Sequence, residues 1–373
     1  MNQRMKIFVF VVCFIVIIPA QVFNQQTNSV KTDPLSLNKY EISCYVSATG
    51  STPDCIIKLD NNGQILLVCI TGKTIEQLKK LNISFTSSQI RLLKDWRLLR
   101  ERNKILKTTF PVLKTDKTIH LRNLMKERAI ILGGNLEKDI ISLKKELQSI
   151  GREKNIYTIL FSYILDNLVW NGFKEKHVLS EREITIEKPF WNGVIWAFYP
   201  PRNFTCGTNR VSDKGVQFNV NWSEVAIKKM LPFVADLENF GKMLDDFIEK
   251  GKVESKDAKK VFGPFNLFDS NGCFTVPIIV EKKEDSLYKI SLALSRKICD
   301  QVLEVIYSEK LTKDFCFQDK EETLVIAYHE LMWELLEYFE QKGLIQKPIV
   351  FVNPEAVHTK DIADLVFIVK KDQ

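Results

Sequence analysis

The sequence predicts an α+β fold, with antiparallel hairpins and helix pairs on separate stretches of chain. Two patterns carry this prediction. Apolar residues recur at helical spacing over Leu92–Leu99 and Leu136–Ile150, and they alternate over Gly193–Tyr199 and Gly215–Asn221. A length of 373 residues adds a third observation, because it exceeds one small core and predicts about two domains. The expected layout is a signal peptide (1–20), a flexible leader (21–39), a first domain (40–172) and a second α+β domain (173–373).

The N-terminus sets the expected location. Met1–Lys6 is short and basic, Ile7–Ile18 is wholly apolar, and Pro19-Ala20-Gln21 ends the run. A charged start, an apolar stretch and a small residue at the cut form a secretory signal. The predicted location is therefore the cell envelope (periplasm or cell surface) or the medium. Ile18 stands where cleavage favours a small residue, and Val22 and Phe23 extend the apolar run. The alternative is thus an anchor in the membrane over residues 7–23. Cys13 follows Val11-Val12 rather than a small residue, which argues against lipidation. Gln21–Pro34 is polar and predicts the leader.

Composition is that of a globular protein, with 45% apolar and 27% charged residues. Twenty-four phenylalanines predict an aromatic-rich core. No fixed-period repeat is visible, which argues against a solenoid or propeller. Seven cysteines follow the signal: Cys44, Cys55, Cys69, Cys206, Cys273, Cys299 and Cys316. An exported chain could pair some of them, as Cys44 with Cys55 or Cys299 with Cys316; buried free thiols are the plainer reading. Lys73–Lys154 holds 20 basic and 9 acidic residues, while the whole chain is only +7. That asymmetry predicts an anionic partner for the basic section: nucleic acid, anionic lipid, acidic polysaccharide or the acidic part of the same chain.

The first domain is expected to open with a small β unit. Tyr40–Val46, Ile56–Leu59 and Gln64–Thr71 predict strands, and Asn61-Asn62-Gly63 predicts a hairpin turn. Thr74–Leu81 predicts a short helix capped by Thr74, and Ser87–Arg100 a second one. Leu92, Leu93, Trp96 and Leu99 form its apolar stripe, with Arg91, Lys94 and Arg97 opposite. Ile105–Phe110 then predicts a strand, with Thr118–Leu121 as its partner. Two helices followed by a basic hairpin resemble a winged helix-turn-helix in element order. The resemblance implies a reading helix and a wing. Gly133-Gly134 and Gly151 are expected to punctuate the helices that follow.

Past Gly172–Glu181 the period changes. Glu183–Glu187, Gly193–Tyr199, Gly215–Asn221, Cys273–Val280, Pro348–Val352 and Leu365–Lys370 predict strands. Ser223–Lys250, Leu287–Tyr307 and Glu321–Gly343 predict helices.

Two sets of residues are candidates for function. Arg91, Lys94, Arg97, Arg100, Arg102, Lys104 and Lys107 could form a surface for a polyanion or partner. Trp191, Trp196, Phe198 and Tyr199 could present an aromatic surface that stacks on sugars, with core packing as the competing reading. His329-Glu330 lacks the second histidine of a zinc protease, because Trp333 stands there. Glu355 and His358 have the Glu-x-x-His spacing of di-metal bundles but no second copy. No metal or cofactor is therefore assigned. Asn82, Asn203 and Asn221 lie in glycosylation sequons. The preferred expectation is an exported, non-catalytic binding protein of the envelope or extracellular space. A membrane-anchored, winged-helix-like nucleic-acid-binding regulator is the first alternative, and an unrecognised hydrolase the second.

Overall fold

The fold is α+β. The computed structural model describes residues 33–224, 226–227, 236–353 and 358–371. Residues 1–32, which include the expected signal, the alternative anchor and most of the leader, lie outside the described residues, as does Glu355. Among the described residues no helix is long and apolar enough to cross a membrane.

Strand β1 (Glu41–Ala48) opens the chain, followed by helices α1 (Pro53–Lys58), α2 (Asn62–Val68), α3 (Ile75–Lys80) and α4 (Ser87–Asp95). Three short strands follow: β2 (Leu99–Arg102), β3 (Ile105–Thr108) and β4 (Val112–Leu113). A 35-residue helix α5 (Thr115–Ser149) leads into a helical segment α6 over residues 156–175, whose middle turn, Ile159–Leu168, is π-helical. Then come β5 (Trp191–Phe198), β6 (Cys206–Asp213), β7 (Val216–Ser223), α7 (Leu237–Lys250), α8 (Lys256–Phe262) and β8 (Ile278–Glu281). The chain ends with α9 (Ser286–Ile306), α10 (Glu309–Phe315), α11 (Lys320–Gln341), α12 (Ile349–Val352) and β9 (Val366–Lys371).

These elements form two compact units that interleave along the chain. The first comprises 1–123, 180–202 and 308–327; the second comprises 124–179, 203–307 and 328–373. The crossing at Leu179–Ser180 falls inside the stretch where the period of the sequence changes. In the first unit, β5 lies between β1, which it pairs antiparallel, and β4, which it pairs parallel. In the second, the sheet order is β6-β7-β9-β8, with only the β8–β9 pair parallel. Its core is aromatic: Phe218 meets Phe240 edge-on at 5.2 Å, and Trp170 meets Tyr328 at 4.7 Å.

Several local expectations are corrected. The N-terminal β unit is one strand and two helices. Pro53 starts α1 at a position that needs no amide hydrogen. Ile57, Ile65, Leu66 and Cys69 are fully buried in one cluster, so helical spacing outweighed strand composition. Asn62 donates to the Ile56 carbonyl (2.9 Å), and Gly63 sits inside α2 against Asn38, where a Cβ would overlap the side-chain oxygen. No hairpin turn forms there. Thr118–Leu121 is helical within α5, and the partner of β3 is β2. Gly133 lies within α5, its missing Cβ admitting the Tyr338 ring. Glu183–Glu187 forms no strand, and Pro348–Val352 gives the short helix α12. Within the described part of the leader, the Asp33 carboxylate accepts from the Thr115 amide (3.2 Å) and hydroxyl (2.7 Å) at the start of α5. All seven described cysteines are free thiols. Asn221 is fully buried and donates to the Leu365 carbonyl, which removes it as a glycan acceptor; Asn82 and Asn203 are exposed.

Glu322, at the start of α11, gives the first unit a pH-dependent stability. Burial pushes its carboxyl up from 4.5 to about 7, against the hydrogen bond it accepts from the Gln318 amide (2.6 Å) and with help from the nearby Asp319 charge. The folded state then holds a proton that the unfolded state has released between these values. Stability falls as pH rises from 4.5 through 7, by about 3 kcal/mol for this group. Glu322→Gln should remove that component, so urea midpoints of the variant and the parent should converge at pH 5 and separate at pH 8.

Candidate functional site

The basic candidates meet on one small module of the first unit. Helices α3 and α4 each begin with a capping box, Thr74 with Gln77 and Thr86 with Gln89. Leu78, Ile90 and Leu93 face the shared core. Beyond α4 the chain turns at once into the β2–β3 hairpin. Lys73 joins that hairpin as an isolated third strand, exchanging both backbone hydrogen bonds with Leu106 (2.9 and 2.8 Å). Thr108 ties the hairpin to α2 through the Leu66 carbonyl (2.6 Å).

Alternation divides the hairpin into two faces. Leu99, Leu106 and Thr108 point inward and are buried. Arg100 pairs directly with Lys107, and Arg102 with Ile105, so all four side chains share the outer face. All four are exposed. Two cations directly opposite on antiparallel strands repel each other, and no acid on this face relieves them. Glu101 alternates to the other side and pairs with Lys94 of α4 at 2.7 Å.

The cations of α4 are engaged within the chain. Arg91 pairs with Asp95 (3.5 Å) and Lys94 with Glu101. The expected reading helix also ends earlier than its sequence suggests. It stops at Asp95, and Arg97 lies beyond it with φ +54°. The Leu98 amide bonds the Leu93 carbonyl and the Arg97 amide bonds the Lys94 carbonyl, both at 2.8 Å, which closes the helix. Asn103 and Lys104 form the hairpin turn with φ +52° and +62°. Among the described residues Arg97, Arg100, Arg102, Lys104 and Lys107 make no ion pair. Arg97 lies within electrostatic range of Glu187, and Lys104 of Glu76. Both carboxyls are held below the usual range, first by their own backbone and threonine hydrogen bonds and then by these cations.

The aromatic candidates divide. Trp196 and Phe198 are each 1% exposed, which corrects their expected place on an aromatic surface. They alternate to the face of β5 opposite Ile195 and Ala197, which join the core cluster, and both faces of this central strand are buried. Tyr199 is half-buried and packs on Tyr40 at 5.4 Å. Trp191 is half-buried and its indole N–H donates to the Trp96 carbonyl (2.7 Å). Phe190, 37% exposed, stacks on Trp96 with centroids 5.0 Å apart and ring planes within 3°. The structure thus brings Trp191 and Phe190 to the residue immediately before Arg97. Phe190 belongs to the aromatic cluster that the sequence shows over residues 190–204, whereas sequence reasoning does not single out Trp96 as a site residue. The signal for Trp96 was masked by its place in an apolar stripe.

A second charged cluster lies in the second unit. Arg210 of β6 donates to the carbonyls of Ser162 (3.2 Å) and Asp166 (3.1 Å) and to the Asp166 carboxylate (3.1 Å). Burial raises the Asp166 carboxyl, while Arg210 and then His329 oppose that shift. The arrangement satisfies carbonyls along the π-helical run of α6 and joins it to the sheet. Glu330 and Glu334 are buried in α11, with Glu330 3.6 Å from the His329 ring nitrogen. No group of three acidic, histidine or cysteine side chains is gathered as metal ligands among the described residues.

Comparison with family models, with curated proteins and with solved structures finds no match to this chain.

Proposed function

We propose that the chain is an exported, non-catalytic protein that binds an acidic polysaccharide through the β2–β3 hairpin and the aromatic step beside it. The observation that carries this is the junction at Trp96 and Arg97. There the Trp96–Phe190 stack adjoins a hairpin face with three cations and no acid. Flat aromatic faces suit sugar rings, and clustered cations suit the carboxylates or sulfates those rings carry. The export signal expected over residues 1–20 supports an extracellular ligand.

A second reading is binding of duplex nucleic acid, with the module taken as a winged helix-turn-helix. The order α3, α4, β2, β3 and the bridging Lys73 favour it. The engaged cations of α4 count against it, since a reading helix contacts the duplex directly.

Titration of the full chain with a sulfated or uronic polysaccharide, followed by tryptophan fluorescence, tests the proposal. Four hairpin contacts should give a plot of log affinity against log salt with a slope of about −3. Phe190→Ala should weaken binding without changing that slope. Absence of binding at low salt would remove the proposal, and tighter, equally salt-dependent binding of duplex DNA would favour the second reading.

A further inference from the structure

Arg97 and Lys104 stand in backbone conformations that favour glycine. Arg97 closes α4 at the left-handed position where helices most often place Gly or Asn. Lys104 takes the second central position of a two-residue hairpin turn, where Gly is preferred after Asn. At Asn103 the chain uses the residue the turn favours; at Lys104 it uses a cation instead. Side chains with a Cβ are strained at such φ values, and residues held there cluster at sites of function. Left-handed backbone also occurs at other non-glycine residues, among them Lys214, but here two such cations fall on one basic module, both without an ion pair among the described residues.

Their positions measure the ligand. Arg97 lies at the base of the hairpin and Lys104 at its tip. Six residues of extended chain at about 3.3 Å each separate base from tip, or about 20 Å. Arg100, Arg102 and Lys107 fall between them on the outer face. Arg100 and Lys107 stand side by side and Arg102 and Lys104 follow toward the tip, so the cations form a narrow strip along the hairpin, a geometry for one chain of repeating anions rather than for a compact anion.

We infer that the ligand is a linear polyanion at least about 20 Å long, held at its two ends by Arg97 and Lys104. This inference rests on the acidic-polysaccharide reading above and specifies the size and form of that ligand. It also makes Arg97 and Lys104 binding residues selected against local backbone preference.

The full chain titrated with sulfated oligosaccharides of graded length, and with inorganic sulfate, tests it. Affinity should climb with length up to about 20 Å and then level off, with sulfate alone binding negligibly. Arg97→Gly and Lys104→Gly should each hold or raise the melting temperature. Each should cost about fivefold on fragments that span the track and nothing on fragments half that length. Arg97→Asn and Lys104→Asn, which also tolerate left-handed backbone, should reproduce both results. Affinity independent of length, or variants that leave long fragments unaffected, would overturn the inference while the polysaccharide reading survives. Absence of binding at every length would instead remove that reading. Oligonucleotides of equal length binding more tightly would overturn the assignment to sugar.

Discussion

Arg100→Glu combined with Lys107→Glu is expected to lower affinity for an acidic polysaccharide about 600-fold at low salt. Two attractions are lost and two repulsions added, each worth about fivefold at an exposed site. Folding should be untouched, because the substitution replaces one pair of like charges across β2 and β3 with another. The melting temperature should therefore stay within about 2 °C of the parent. Lys145→Glu, a reversal on the exposed side of α5, controls for net charge and should leave affinity within about twofold. Isothermal titration and a thermal melt on the same samples check both halves. Loss of affinity together with loss of folding would show that the hairpin cations are structural.

Gly193→Ala is expected to destabilise the protein by about 4 kcal/mol. Gly193 has φ +151° in the middle of the β1–β5 ladder, opposite Val46. A Cβ there would overlap the Tyr45 carbonyl oxygen and lie 2.8 Å from the Val46 Cα. Both obstacles are backbone, so no rotamer change relieves them. The cost combines strain in a glycine-only region with overpacking, each about 1–3 kcal/mol. The damage should reach the site. β5 is central to its sheet and carries Trp191, whose indole holds the Trp96 carbonyl at the base of the hairpin. Urea denaturation should show a lower midpoint, and Trp191 fluorescence should report the loosened contact before global unfolding. A variant as stable as the parent would show that the ladder can shift around the methyl group.

Much of the site could be read in the sequence, and the parts that could not share a cause. The seven basic residues were legible as a cluster because charge density needs no fold to be counted. Which of them are available was not legible. Lys94 and Glu101 are seven residues apart, and only the turn from α4 into β2 places their side chains together. The sequence predicts helix through to Arg100 because Leu99 continues the apolar stripe of Leu92, Leu93 and Trp96. Nothing local marked Arg97 as left-handed, since helices usually end there on Gly or Asn. Gln64–Thr71 was misassigned for a related reason: a short apolar run fits a buried helix as well as a strand. The long helices α9 and α11 and the strands β7 and β9 were legible because their periods extend over several repeats.

The sequence by itself determined the α+β class, the basic bias of Lys73–Lys154 and the order of two short helices followed by the strand at Ile105, but not that strand's partner, which is Leu99–Arg102 rather than Thr118–Leu121. Those follow from periodicity and composition, which are properties of neighbouring residues. Tertiary structure decided the rest. It buried Trp196 and Phe198 while leaving Phe190 exposed, and it matched Lys94 with Glu101. It also carried Trp191 across 95 residues of sequence to the Trp96 carbonyl. Burial and pairing depend on which segments pack together. Such contacts form between residues distant in the chain, where spacing in the sequence carries no signal.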